Sequence, residues 1–580
     1  MDGLLGFLLV MAPFVLAIIL LLGLRWKADT TGVLVWVVVA AIALVFFTTP
    51  FDTLFFASVA GVVDSFKITL MVGASIVMIT YMQEAGALRR VVVFAKTLRG
   101  SHPAWQIMFL NLGFGCFLVS IGATPVSILP PIMLALGFSP LASVALPAVG
   151  YDPLTTYALL AIPAVVFQGE MGRLAEDNLI AAAPTLTEVG QAFSIYMPVI
   201  STGIALAMLY IAGGRKMLFN RESLAIAAIS GVTAGVTAVV SNFLGVVTLT
   251  GVFAGIMVAV VLGVYAKFNG YTLLDRSDLT DEDKAVEQEM SLVRAASPWI
   301  LLVIFSLLTN LIDPIFQFLF TDLPFPVTIG EYTVKLRLLW QAYTWVAVAV
   351  VTSFLFLPSG KEVLVSTAQK CRSRVFRPMI SSAVFFAVAW ILNKSSPDDL
   401  ANNMVVVLSN FTSDYFGLIF PLLVPFIGLL GGFVSGSETS AIAMFTRYQT
   451  QTANTLGLDP ITLGTANGIG GGLASVLTPA KVQNAAATID QIGIEGDVIR
   501  KTIGISFLMT AVLAGLTWLW SKGLPTLDLT LVGAIVLVYL ALMAGLFLLG
   551  RYANQHDPKL IITRQGPKEV VENDDQAPES

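Results

Sequence analysis

Three charged residues sit deep in stretches that otherwise hold only aliphatic, glycine and hydroxyl residues: Glu438 in SGSETS, Lys481 in LTPAK and Asp152 in VGYDPLTTY. A carboxylate at membrane depth costs about 2.5 to 3.5 kcal/mol on insertion scales and is functional by default. Protonation lowers that cost, so Glu438 and Asp152 read as groups that take up and release a proton. Lys481 reads as the partner of an anion or of Glu438. Each has a competing reading: a helix cap beside an aqueous vestibule for Glu438, a helix N-cap for Asp152, and snorkelling to an interface for Lys481.

A small carboxylate inside a bilayer needs hydrogen-bond donors. Backbone N–H groups at the N-termini of broken helices supply them, helped by hydroxyls and the helix dipole. The turns Gly122-Ala-Thr124-Pro125 and Ser435 to Ser440 offer such N-termini, and Thr478-Pro479 offers another with proline at the first helical position. Thr124, Ser437, Thr439, Ser440, Asn467 and Thr478 are therefore expected, with Lys481, to ring a small organic anion. Gly122, Pro125, Gly436, Gly470 and Pro479 are expected to break the helices there. The alternative for each small residue is close helix packing alone.

These residues need elements to hold them, and the composition says which. The 580-residue chain is 56% hydrophobic and 12% charged, with mean hydropathy +0.84, so most of it cannot face water. Runs such as Leu4 to Leu24, Val246 to Tyr265 and Leu529 to Leu549 are near the ~20 residues of a spanning helix, without the alternation of a barrel strand. The expected fold is all-α, a polytopic membrane protein of about 12–14 membrane segments with two inverted repeats and re-entrant hairpins. The stretch from Gly428 to Gln483 is apolar yet repeatedly interrupted. Such backbone survives at membrane depth only where protein or a watery cavity solvates it.

The expected order is N-terminal transmembrane helices (1–50), a first repeat (51–212) broken near 113–153, and a helical hairpin with a charged cytoplasmic linker (213–297). Linking helices with a basic cytoplasmic loop (298–377), a second repeat (378–521) broken near 428–483, a last transmembrane helix (522–550) and a disordered tail (551–580) follow. Arg25 and Lys27, then Arg89, Arg90, Lys96 and Arg99, then the cluster from Lys361 to Arg377 alternate with uncharged turns. They put the N-terminus outside and the C-terminus in the cytoplasm, in the plasma membrane. Asp64, Lys67, Glu84 and Asp490 read as interfacial charges. Cys116 and Cys371 read as free thiols, with no metal site. His102 lies before Pro103 in a loop and His556 in the tail, which gives no buried histidine relay. A membrane enzyme would need a nucleophile with its base or a metal cluster, and neither is evident. No cofactor is expected, and nucleic-acid binding has no support.

Two stretches echo each other. GFGCFLVSIGATPVS is followed by LGFSP and Gly150, and GLLGGFVSGSETSAI by LGLDP and Gly470. Each is preceded by a span, from Ile68 or Ile380, and the loop charges make those spans cross in opposite directions. Weak internal similarity of inverted orientation is the mark of secondary transporters whose site lies between the repeats.

From about Phe55 to Trp520 the chain resembles the L-lactate permease family of secondary transporters. The resemblance rests on FGCFLVSIGATPVSILPPIMLALGFSPL (Phe114 to Leu141), VRAASPWILL (Val293 to Leu302), GGFVSGSETS (Gly431 to Ser440) and TANGIGGGLASVLTPAKVQNAA (Thr465 to Ala486). It implies carriage of lactate, glycolate or a related hydroxycarboxylate, generally with a proton, by a carrier that moves a substrate domain against a scaffold. Three departures stand out: VSIGATP replaces E-G-A-A-G-F-G-T-P, SGSETS replaces T-G-S-D-T-S, and Thr478-Pro479-Ala480-Lys481 replaces S-P-Q-S. A lost anion and a gained cation leave open a sodium-coupled carrier of another carboxylate or a sulfonate. A passive anion channel is the remaining alternative, though it would favour rings of charges or carbonyls over two unlike interrupted segments. Many such carriers are homodimers, which the sequence does not show.

Overall fold

Aliphatic residues fill the chain in blocks too long for strands, and helix after helix results. The computed structural model describes residues 3–556 apart from 25, 27, 98–101, 123, 273, 278, 490 and 492. The topology markers Arg25, Lys27 and Arg99, the interfacial Asp490, and the tail from 557 onward lie outside the described residues.

Among the described residues ten helices are long and apolar enough to cross a membrane, eleven if the pair Ser297–Thr309 and Pro314–Asp322, bent by 90°, is one broken span. The shorter apolar helices Asp29–Val45, Ala342–Ser353 and Ser382–Lys394 extend the set. The chain is a polytopic all-α membrane protein. One element departs from the expected order: an antiparallel hairpin pairs Phe325–Ile329 with Tyr332–Leu336 inside the segment expected to hold helices and a basic loop. Its inner face packs on Ala57, Ala60 and Trp390. The basic loop itself is largely the helix Lys361–Arg374, which carries Cys371.

Burial separates the centre from the rim. In the most apolar part of Pro140–Glu176, 94% is buried, against 11% in Leu529–His556, so the first lies at the core and the second on the periphery. Asp152 is on the central stretch.

The two echoing segments share one order of local structure. In each, a glycine in the left-handed region ends a helix: Gly122 at φ +86° and Gly436 at φ +72°. The next helices are Pro125–Ala135 and Glu438–Leu456. Left-handed Gly137 and Gly457 follow. Helices Pro140–Gly150 and Pro460–Gly472 then start at a capped proline, Ser139 accepting from the Ala142 N–H at 3.3 Å and Asp459 from the Thr462 N–H at 2.8 Å. Each ends in a 3-10 turn, Asp152–Tyr157 or Ser475–Leu477, before a new helix, Ala158–Glu176 or Pro479–Ala487. Gly122, Pro125, Gly436 and Pro479 thus sit at breaks, as expected. Gly470 does not. It lies within a continuous helix, where a Cβ would fall 2.1 Å from the Pro425 carbonyl oxygen, so its glycine serves backbone-to-backbone packing and the break comes after Gly472.

Ion pairs join several of the charged segments. Lys96 binds Asp283 at 2.8 Å, Arg90 binds Glu287 at 3.1 Å, and Arg89 pairs with Glu282, which ties the charged linker to the helix Ala87–Lys96. Glu84 pairs with Lys370 of the basic segment. Asp64 departs from its interfacial assignment: it is 3% exposed and bound by Lys67 at 2.9 Å and Arg173 at 2.7 Å, with the Trp390 indole N–H donating at 3.2 Å. A charge so buried needs such partners. His102 is also not a free loop residue. It caps the helix Pro103–Ile107 by accepting the Ala104 N–H, and its Nε2 lies 3.7 Å from Glu222.

Candidate functional site

Glu438 opens its helix because Ser437, extended at φ −148°, N-caps it and accepts the Ser440 N–H at 3.5 Å. The helix dipole and free N–H groups at this end favour negative charge. The side chain is 3% exposed. Its Oε1 accepts a 2.6 Å hydrogen bond from the Thr156 hydroxyl, contributed by the 3-10 turn of the other echoing segment. Its Oε2 is buried without a hydrogen-bond partner.

Asp152 opens that 3-10 turn and is 5% exposed. Its Oδ1 also lacks a hydrogen-bond partner. The carboxyl faces Ser475 and interacts electrostatically with both Lys481 and Glu438. Lys481 comes from the first turn of Pro479–Ala487, donates to the Ser475 hydroxyl at 3.1 Å, and lies 5.8 Å from the centre of the Tyr151 ring. Two carboxylates and one ammonium, drawn from three helix starts, thus meet inside the protein. Such a cluster of one excess negative charge is costly in a low dielectric unless a cation or proton completes it.

The other predicted residues divide. Ser440 and Asn467 are fully buried, and each leaves one oxygen unpartnered, although the Asn467 amide donates to the Ala441 carbonyl at 3.4 Å. Thr439 is buried beside Glu438. Thr478 is buried but spends its hydroxyl on the Ala474 carbonyl at 3.1 Å. Thr124 N-caps Pro125–Ala135 with no side-chain cap bond and is exposed, so it does not join the buried group.

Thr156, Ser475, Tyr151 and Gly472 were not singled out by sequence. A hydroxyl or glycine among many such residues gives no signal until the helix starts are superposed in space. Gly472 bears directly on the site, since a Cβ there would lie 2.7 Å from Glu438 Oε2. Leu159, Leu160 and Ala161, just after Thr156, take φ of 55°, 57° and 62°, a left-handed turn that no sequence pattern announces. Among the described residues no three His, Cys, Asp or Glu side chains are grouped to hold a metal ion.

A family profile described as L-lactate permease matches residues 6–522. The glycolate permease GlcA of Escherichia coli K12 is 22% identical over 561 residues, which is 90% of this chain and 96% of that protein. An L-lactate permease of Bacillus subtilis 168 is 25% identical over 464 residues, 71% of this chain and 78% of its own length. The L-lactate permease of Escherichia coli K12 aligns over a shorter part, 27% identical over 199 residues, with 33% of this chain and 35% of that protein covered. Among solved structures, Neisseria gonorrhoeae MtrF, of a class of antimetabolite efflux pumps, overlays 78% of this chain and 82% of its own at 14% identity and a TM-score of 0.39. With the profile running over nearly its whole length, the chain belongs to the L-lactate permease family.

Proposed function

We propose that this permease is a secondary active transporter that carries small hydroxycarboxylate anions, L-lactate and glycolate among them, in symport with a proton across the plasma membrane. The observation that carries this is the placing of buried Asp152 and Glu438 within electrostatic reach of partly buried Lys481 where broken helices start. Lys481 can balance one carboxylate. A second carboxylate and an incoming anion then need further positive charge before the closed site can cross a low-dielectric region. A proton on Asp152 or Glu438 removes one of those two charges. The substrate names come from the relatives: one is a glycolate permease, others are L-lactate permeases.

Alternating access fits the same arrangement. The repeated order of left-handed glycine, capped proline helix and 3-10 turn supports two inverted repeats that hold the site between them and move one bundle against another. The ion pairs between the charged segments support placing them together on the cytoplasmic side, with the N-terminus outside. Sodium is the competing coupling ion, favoured by the unpartnered buried oxygens of Ser440 and Asn467.

Uptake of labelled lactate into proteoliposomes, under an imposed pH gradient and with or without sodium, tests the proposal. Saturable uptake driven by the pH gradient, chemically unchanged substrate, and its loss in Glu438→Gln are expected. Uptake that follows sodium alone would move the coupling to that ion, and the absence of uptake of any carboxylate would overturn the assignment.

A further inference from the structure

The two oxygens of Glu438 are unequally served. Oε1 holds the Thr156 hydroxyl at 2.6 Å, whereas Oε2 is equally buried and has no partner. An unsatisfied buried acceptor is costly, so an arrangement that keeps one open is matched to a donor that arrives later. Gly472 packs against that oxygen and admits no side chain, since a Cβ there would meet Oε2 at 2.7 Å and the Thr155 Cβ at 3.3 Å.

On the other side of the group, Lys481 is oriented by Ser475 and the Tyr151 ring and has Asp152 as its electrostatic partner. Lys481 is only partly buried, as are Gly436 and Ser437 just before Glu438, so the group is not fully enclosed. A 2-hydroxy monocarboxylate carries one carboxylate and, on the adjacent carbon, one hydroxyl donor. That matches one ammonium and one open acceptor.

Resting on the transporter reading above, we infer that the substrate's carboxylate takes the place of Asp152 beside Lys481 while its 2-hydroxyl donates to Glu438 Oε2. Glu438 is then the residue that selects hydroxy acids over plain acids. A monocarboxylate without the hydroxyl leaves Oε2 open, and a dicarboxylate sets a second negative charge against Glu438. A hydrogen bond to a charged group is the stronger kind, and its loss lowers affinity about 10- to 100-fold.

The test is competition against labelled lactate in proteoliposomes, with unlabelled lactate and propionate as probes, in the native chain, Glu438→Met and Gly472→Ala. In the native chain lactate is expected to compete about 10- to 100-fold better than propionate. Gly472→Ala, which leaves every charge in place, is expected to bring the two acids to within a few fold of each other by weakening lactate alone. Glu438→Met is expected to do the same in detergent-solubilised protein, read as loss of the extra thermal stabilisation that lactate gives over propionate. Equal competition by the two acids in a native chain that takes up lactate would overturn the inference and leave the transporter standing. An unchanged preference in a transport-competent Gly472→Ala would also overturn it. No carboxylate uptake by the native chain would overturn both.

Discussion

Lys481 is the cation of the group, and its removal takes away the positive charge that acts on both Asp152 and Glu438. Truncating one partner of a buried hydrogen-bonded charge pair costs 2–5 kcal/mol or more. Lys481→Met is therefore expected to raise the half-saturating lactate concentration by about 30-fold or more. Thr156→Val removes the donor to Glu438 Oε1, and Thr156→Ser keeps it. Lactate affinity is expected to fall about 10-fold in the first and to be nearly native in the second, read from saturation curves. Equal behaviour of the two variants would show that the hydroxyl does not matter. At this scale the sequence was most legible: charges in apolar surroundings announced Glu438, Lys481 and Asp152. Thr156 and Ser475 were hidden because hydroxyls are common, and only the meeting of two segments 282 positions apart gives Thr156 its role.

Elements position these residues, and two of them carry strain or charge at a cost. The left-handed turn Leu159–Ala161 follows Thr156 directly. Left-handed backbone costs an L-residue roughly 1–2 kcal/mol, a penalty glycine escapes. Ala161→Gly is expected to stabilise the folded protein by about 1 kcal/mol, seen as a higher unfolding temperature in detergent. A lower one would mean that the turn is not strained. At the far end of the same helix, Arg173 joins Asp64 and Glu170, at 2.7 and 2.6 Å. Arg173 is 30% exposed, so Asp64→Asn is expected to cost near the lower end of the ~3–5 kcal/mol of a broken buried pair.

The docked linker responds to pH. Partial burial opposes the charge of Asp283, but its bond to Lys96 and the Thr280 cap hold its carboxyl below the usual range. A carboxyl lowered on folding stabilises above its ordinary value, 3.8, and loses that contribution as pH falls through the lowered one. Hydrogen exchange in Asp281–Glu289 is thus expected to accelerate below about pH 3.8 and, at neutral pH, in Lys96→Met. The helices and the linker were legible as hydropathy and charge, whereas Pro140 and Pro460 were read only as matching positions of a repeat and prove to open capped helices. The Asp64–Arg173 pair and the hairpin at 325–336 were not legible, because neither partner in a pairing so distant in sequence reveals the other.

At the scale of the whole molecule, a central bundle holds two buried carboxyl groups with the partly buried Lys481 beside them, and peripheral helices such as Leu529–His556 lie around it. The polytopic fold was legible from hydropathy, and membership of the permease family from the resemblance of the motifs at Phe114 to Leu141, Val293 to Leu302, Gly431 to Ser440 and Thr465 to Ala486. A carrier built this way must exchange substrate across the membrane through one site, so its turnover saturates and is stimulated from the opposite side. Counterflow of labelled lactate in proteoliposomes preloaded with unlabelled lactate, for the native chain and Lys481→Met, tests this most directly. Saturable, trans-stimulated exchange in the native chain and its loss in Lys481→Met are the predicted results. Exchange that neither saturates nor responds to the trans side, or that survives Lys481→Met unchanged, would contradict the account.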